Sequence, residues 1–85
     1  MGNHYIYEHM KDLNTLFAER FQIAAADVTD SLSPEDVPEW DSLNFLLFIV
    51  DVEERYGISF SMDEVLNSQT LGDIRKALQS KSVNV

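Results

Sequence analysis

Apolar residues in this chain recur at intervals of three and four, the spacing that places them on one side of an α-helix. Ile6, Met10, Leu13, Phe17 and Phe21 form one such series, which predicts a first helix from about Tyr5 to Arg20, with Asn3 as its cap. A second series, Phe45, Phe48, Ile49, Val52 and Tyr56, predicts a helix from Ser42 to about Tyr56. Gly57 ends it, because glycine accepts the left-handed conformation in which helices stop. Ser61-Met62-Asp63-Glu64 reads as a capping box that opens a short third helix ending near Asn67. Thr70 caps a fourth, with Leu71, Ile74 and Leu78 as its apolar stripe and Arg75, Lys76 and Lys81 suited to its C-terminal end. No Val-, Ile- or Thr-rich alternating segment of strand length lies between turn signals. The expectation is an all-α protein, a four-helix bundle of three main helices and one short helix.

From Gln22 to Asp41 the periodicity breaks. Asp27, Thr29, Asp30, Ser31, Ser33, Pro34 and Pro38 mark a long connecting loop, for which Val28 and Leu32 are the expected anchors. Ser33-Pro34-Glu35-Asp36 has the Ser and Pro of a single helical turn. Trp40 is read as the anchor that holds the end of the loop against the bundle. With 85 residues there is room for one core, so residues 1–85 are expected to form a single domain, ordered over about 5–79 and frayed over 80–85.

Fifteen acidic residues against six basic ones give a net charge of -9. Such a surface repels nucleic acid and anionic headgroups and attracts basic partners, an attraction that weakens as salt is added. The chain has no cysteine, which removes disulfides, a thiolate nucleophile and a Cys-ligated zinc site. The N-terminus lacks the basic region and apolar run of a signal peptide, and Ile6 stands where a myristoylation motif requires Ser or Thr. The longest apolar run, Phe45 to Val50, is too short to span a bilayer. A cytoplasmic monomer bound to neither membrane nor nucleic acid is expected. His4 and His9 share no helix face well, and the acidic loop from Asp27 to Asp41 lacks the sixth-position glycine and closing Glu of a calcium loop, so no metal site is expected. Glu53 and Glu54 point about 100° apart on their helix and read as solvated charge, not as an acid–base pair.

Ser42 stands where the loop meets the second helix. At such a junction the first backbone N–H groups are unpaired and the helix dipole is positive, so a phosphate ester on this serine is electrostatically favoured. The plainer reading makes Ser42, or Asp41 before it, simply a helix cap. The wider context favours the first. Trp40-Asp41-Ser42-Leu43, then Val52-Glu53-Glu54-Arg55-Tyr56-Gly57-Ile58-Ser59-Phe60, then Thr70-Leu71-Gly72-Asp73-Ile74, together resemble the acyl carrier protein family. The likeness runs from about Ile6 to Leu78. It implies a carrier and not an enzyme: a phosphopantetheinyl transferase moves the phosphopantetheine arm from coenzyme A to Ser42, framed by Asp41 and Leu43. The thiol of the arm then carries acyl groups as thioesters to acyl-loading and synthase-type enzymes with basic docking patches. The sulfur that the chain lacks comes from the cofactor. A hydrolase using Ser42 has no plausible base or pocket.

On the second helix the arc opposite the core carries Leu43, Asn44, Leu47, Val50, Asp51 and Glu54, a small apolar patch with an acidic rim suited to docking a partner. Fatty-acid carriers of the resembled family tend to have acidic residues where this chain has Asn44 and Leu47, and the Glu39-Trp40 lead-in differs from their Gly-containing one. The expectation is therefore polyketide or other specialised biosynthesis, not primary fatty-acid synthesis. The alternative from another class is a non-covalent helical interaction module in which Ser42 is a cap only.

Overall fold

The computed structural model describes residues 12–85. Four α-helices follow one another among these residues: α1 Leu13–Phe21, α2 Ser42–Tyr56, α3 Met62–Asn67 and α4 Leu71–Ser80. The chain is all-α, with three longer helices and one short one, and no strand among the described residues.

The start of α1 differs from the sequence expectation. Asp12 is extended, with ψ 179°, and its carboxylate accepts the Thr15 N–H at 2.8 Å. A cap at that point opens a helix at Leu13, so one unbroken helix from Tyr5 to Arg20 is not formed. Apolar spacing carries through such a break and does not reveal it. Asn3, His4, Tyr5, Ile6, His9 and Met10 lie outside the described residues. At its other end α1 closes on Gln22, which takes the left-handed conformation at φ 58°.

The remaining caps follow the sequence. Gly57 closes α2 at φ 66°. Ser61 and Glu64 complete the capping box of α3, and Thr70 and Asp73 make a second box at α4. The connecting segment contains a 3-10 turn, Ala25–Asp27, which the broken periodicity concealed. Ser33 and Asp36 form the expected tight turn, with the Asp36 carboxylate accepting from the Ser33 N–H at 3.1 Å.

Leu13, Phe17 and Phe21 of α1, Phe48, Ile49 and Val52 of α2, and Leu71, Ile74 and Leu78 of α4 close the core, with Val28, Val37 and Trp40 supplied by the loop. The centre is aromatic. Phe17 meets Trp40 and Phe48 edge-on at 5.5 and 5.4 Å, and Phe21 packs 4.6 Å from Phe17. Edge-on contacts of this kind add to the burial of large apolar area. None of the described polar side chains is buried.

The loop is tied to the start of α4. The Leu71 and Gly72 N–H groups, which an isolated helix would leave unpaired, donate to the Leu32 and Asp30 carbonyls at 3.2 and 2.9 Å. Gly72 permits that approach, because a Cβ there would lie 3.1 Å from the Asp30 oxygen. Arg75 adds side-chain bonds to Asp30 and Asn14. The last residues are better held than the expected frayed tail: Val83 donates to the Leu78 carbonyl at 3.0 Å, and Val83 and Val85 pack on the core. Two isolated valines after a helix end carry no period, so the sequence offered no signal for that packing.

Candidate functional site

The approach to Ser42 is fixed from beneath. Trp40 is buried against Phe17 and Phe21 and stacks on Phe45 at 5.6 Å, while its backbone N–H donates to the Val37 carbonyl at 3.0 Å. One residue later the chain is extended at Asp41, whose Oδ1 accepts the Asn44 N–H at 2.8 Å and whose carbonyl accepts the Phe45 N–H at 2.9 Å. The cap of α2 is therefore Asp41. Ser42 is the first helical residue, it is exposed, and its hydroxyl makes no hydrogen bond among the described residues. The reading in which Ser42 serves only as a cap loses its basis, because Asp41 already performs that task.

This geometry fits a phosphodiester on Ser42. Its side chain projects from the positive end of a helix of 15 residues, and the Ser42 and Leu43 N–H groups are left without partners by the cap. Leu43, the next residue, is exposed and leaves the hydroxyl accessible.

Of the residues expected to face a partner, Leu43, Leu47, Val50 and Glu54 are exposed on the outer side of α2. Two others are committed elsewhere. Asn44 is half-buried and donates from its amide to the Glu39 carbonyl at 2.9 Å, bracing the lead-in to Ser42. Asp51 turns to α1, where the Arg20 guanidinium grips it in bidentate fashion, Nε at 2.9 Å and Nη2 at 2.8 Å from Oδ2 and at 3.0 Å from Oδ1. A pairing across 31 positions is invisible to a helical wheel, which shows only that Asp51 lies on the flank. Glu53 is likewise not simply solvated: its Oε2 accepts the Phe60 N–H at 2.9 Å.

Three exposed apolar residues were not foreseen. Leu46 is 53% exposed, and Met62 and Leu66 on α3 are 69% and 70% exposed. A finer wheel finds Leu46, which lies about 60° from Leu43 on the side away from the core. Met62 and Leu66 are four apart and share one side of α3. Among the described residues, these three with Leu43, Leu47 and Val50 are all the large apolar side chains classed as exposed.

The charged groups around the helices are mostly engaged. Lys81 holds Glu64 at 2.9 Å, and that bond, with the Ser61 N–H, keeps the Glu64 carboxyl below its ordinary value. Burial pushes the Tyr56 phenol up, although the Arg55 guanidinium sits 4.8 Å from its ring. Arg55 and Tyr56 line, with Asp12, Asn14, Arg75 and Asn84, a shallow depression of about 230 Å³ at the end of α2 far from Ser42. Among the described residues no helix is long and apolar enough to cross a membrane.

A family model described as the phosphopantetheine attachment site matches residues 11–78. Among solved structures, the chain resembles a candidate acyl carrier protein from Mycobacterium tuberculosis at 20% identity, with a TM-score of 0.72 over 81% of this chain and 92% of that one. A search of curated proteins returns no significant match.

Proposed function

The chain belongs to the phosphopantetheine-attachment family, whose members are carriers and not catalysts, and on that premise we propose that Ser42 bears the arm and that the chain acts as one carrier domain. The observation that carries this reading is the division of labour at the helix start: Asp41 caps α2, and the Ser42 hydroxyl next to it is exposed and unbonded. In the attachment reaction the Ser42 oxygen bonds to the phosphorus that bears pantetheine in coenzyme A, the pyrophosphate bridge breaks, adenosine bisphosphate leaves, and the hydroxyl proton is lost to a base of the transferase. The arm, when bound, supplies a thiol for thioester chemistry. What this chain contributes is position: Trp40 and Asn44 hold the lead-in and Asp41 holds the helix start, so Ser42 is presented from a rigid base.

The partners in this reading are the phosphopantetheinyl transferase, then acyl-loading and synthase-type enzymes with basic docking patches, meeting Leu43, Leu47, Val50 and Glu54. A net charge of -9 favours such surfaces. The pathway we favour is polyketide or other specialised biosynthesis, because Asn44 and Leu47 occupy positions where the fatty-acid carriers tend to be acidic. The reading puts the protein in the cytoplasm, beside the coenzyme A supply.

The test is intact mass after incubation with coenzyme A and a broad-specificity phosphopantetheinyl transferase. The wild-type chain should gain one phosphopantetheine group and Ser42→Ala none. A folded wild-type chain left unmodified by several transferases would refute the reading.

A further inference from the structure

Resting on the carrier reading of Ser42, we propose that Asn44 is a positioning residue for the attachment reaction: its neutral side-chain amide locks the turn 39–41 onto α2, and that lock fixes where the Ser42 hydroxyl stands. Asn44 acts on Ser42 through Glu39 and Asp41.

The starts of α2, α3 and α4 share one layout, a cap residue followed three positions later by a polar side chain. In α3 and α4 that side chain is a carboxylate that reaches back to the N–H of the cap: Glu64 accepts from Ser61 at 2.8 Å, and Asp73 from Thr70 at 3.2 Å. The start of α2 is wired differently. Its cap N–H, on Asp41, donates to the Glu39 carbonyl at 3.0 Å, and the Asn44 side chain donates to the same carbonyl at 2.9 Å. A carbonyl only accepts, so the amide nitrogen of Asn44 faces it and not the amide oxygen.

A closed ring of bonds results. The Asn44 backbone N–H binds the Asp41 carboxylate at 2.8 Å, the Asn44 side chain binds Glu39, and Asp41 binds the same Glu39 carbonyl. Ser42 and Leu43 are the two residues that this ring spans. On the inner side Trp40 stacks on Phe45, one position outside the ring at the helix end. The backbone at Ser42 is thus tied on both sides while its side chain stays exposed.

The residue type matters. A carboxylate at position 44 has no proton to give the Glu39 carbonyl; it would turn to the Asp41 N–H, make the ordinary box and release Glu39. It would also set a second negative charge, after Asp41, beside a phosphodiester on Ser42. Reacting groups displaced by about 1 Å lose rate steeply, so the lock is felt in kcat more than in KM.

Asn44→Asp and Asn44→Ala both remove the donor, the first adding a charge and the second none. Both keep the backbone N–H that Asp41 accepts, so each should melt within about 5 °C of wild type. The probe is coenzyme A with a broad-specificity phosphopantetheinyl transferase acting on the full chain, with rates read by intact mass. Each variant should lower kcat about threefold to tenfold, the range spanned by the net worth of one hydrogen bond, with KM within about twofold. In unmodified Asn44→Ala, hydrogen exchange at the Asp41 amide should be faster than in wild type. Wild-type kcat in either variant, a loss confined to KM, or an unchanged Asp41 amide in Asn44→Ala would overturn the proposal and leave the carrier reading intact. Melting more than about 5 °C below wild type in both variants would make Asn44 a structural residue and overturn it too. A wild-type chain that is never modified would remove the carrier reading and this proposal with it.

Discussion

Replacing Asp41 by Ala and, separately, Ser42 by Ala should have opposite consequences for stability and for modification. Asp41 accepts the Asn44 N–H at 2.8 Å as the cap of a 15-residue helix. Removing such a cap costs about 1 kcal/mol, and in a domain of this size each kcal/mol lowers the melting temperature by about 4–8 °C. Ser42 offers no such loss, because its hydroxyl has no partner among the described residues. Alanine is a slightly better helix former, so Ser42→Ala should melt at or a little above the wild-type temperature. Asp41→Asn keeps an acceptor in the same place and should recover most of the cap. Thermal unfolding of the unmodified proteins by far-ultraviolet circular dichroism reads all three. If Ser42→Ala lost as much stability as Asp41→Ala, or if Asp41→Ala were neutral, the division between a capping residue and a free hydroxyl would be wrong.

Four further outcomes follow from the fold. Gly57→Ala should cost about 1–2 kcal/mol purely from its left-handed backbone, since a Cβ there meets nothing within 4 Å, whereas Gln22→Gly should stabilise by up to about 1 kcal/mol by relieving the same strain at the end of α1; denaturant unfolding checks both. A double-mutant cycle on Arg20 and Asp51 should give a coupling of about 1 kcal/mol, because the pair is bidentate and only partly exposed, and additive single effects would show that it contributes nothing. The Thr15 N–H, followed by its side chain, holds the Asp12 carboxyl below its ordinary value of 3.8. A depressed carboxylate stabilises the fold above its unfolded value and loses that contribution as pH falls through the folded one, so the stability gap between wild type and Asp12→Ala should be constant above pH 3.8 and shrink below it.

Local chemistry made much of this structure legible. Gly57, Ser61 with Glu64, and Thr70 act through neighbours three or four residues away, and the backbone bonds they promise are the ones formed. The core side of α2 was equally readable, since Phe48, Ile49 and Val52 repeat the helical period. What escaped depends on distant partners or on a break within a continuing pattern. Asp12 interrupts the first apolar series without altering its spacing. Asp51 meets Arg20 only because α1 packs on α2, and Val37 is buried only because the loop folds over the aromatic cluster. At the site, the position of Ser42 could be read from the sequence, but the choice of Asp41 as the cap required the backbone. Leu46, Met62 and Leu66 needed both a finer wheel and the placement of α3.

Localisation of the adduct by fragment mass spectrometry tests the role of Ser42 most directly. After treatment with coenzyme A and transferase, the phosphopantetheine group should sit on Ser42 and on no other serine. An adduct on Ser31, Ser33, Ser59 or Ser61, or a folded chain that carries none, would contradict it.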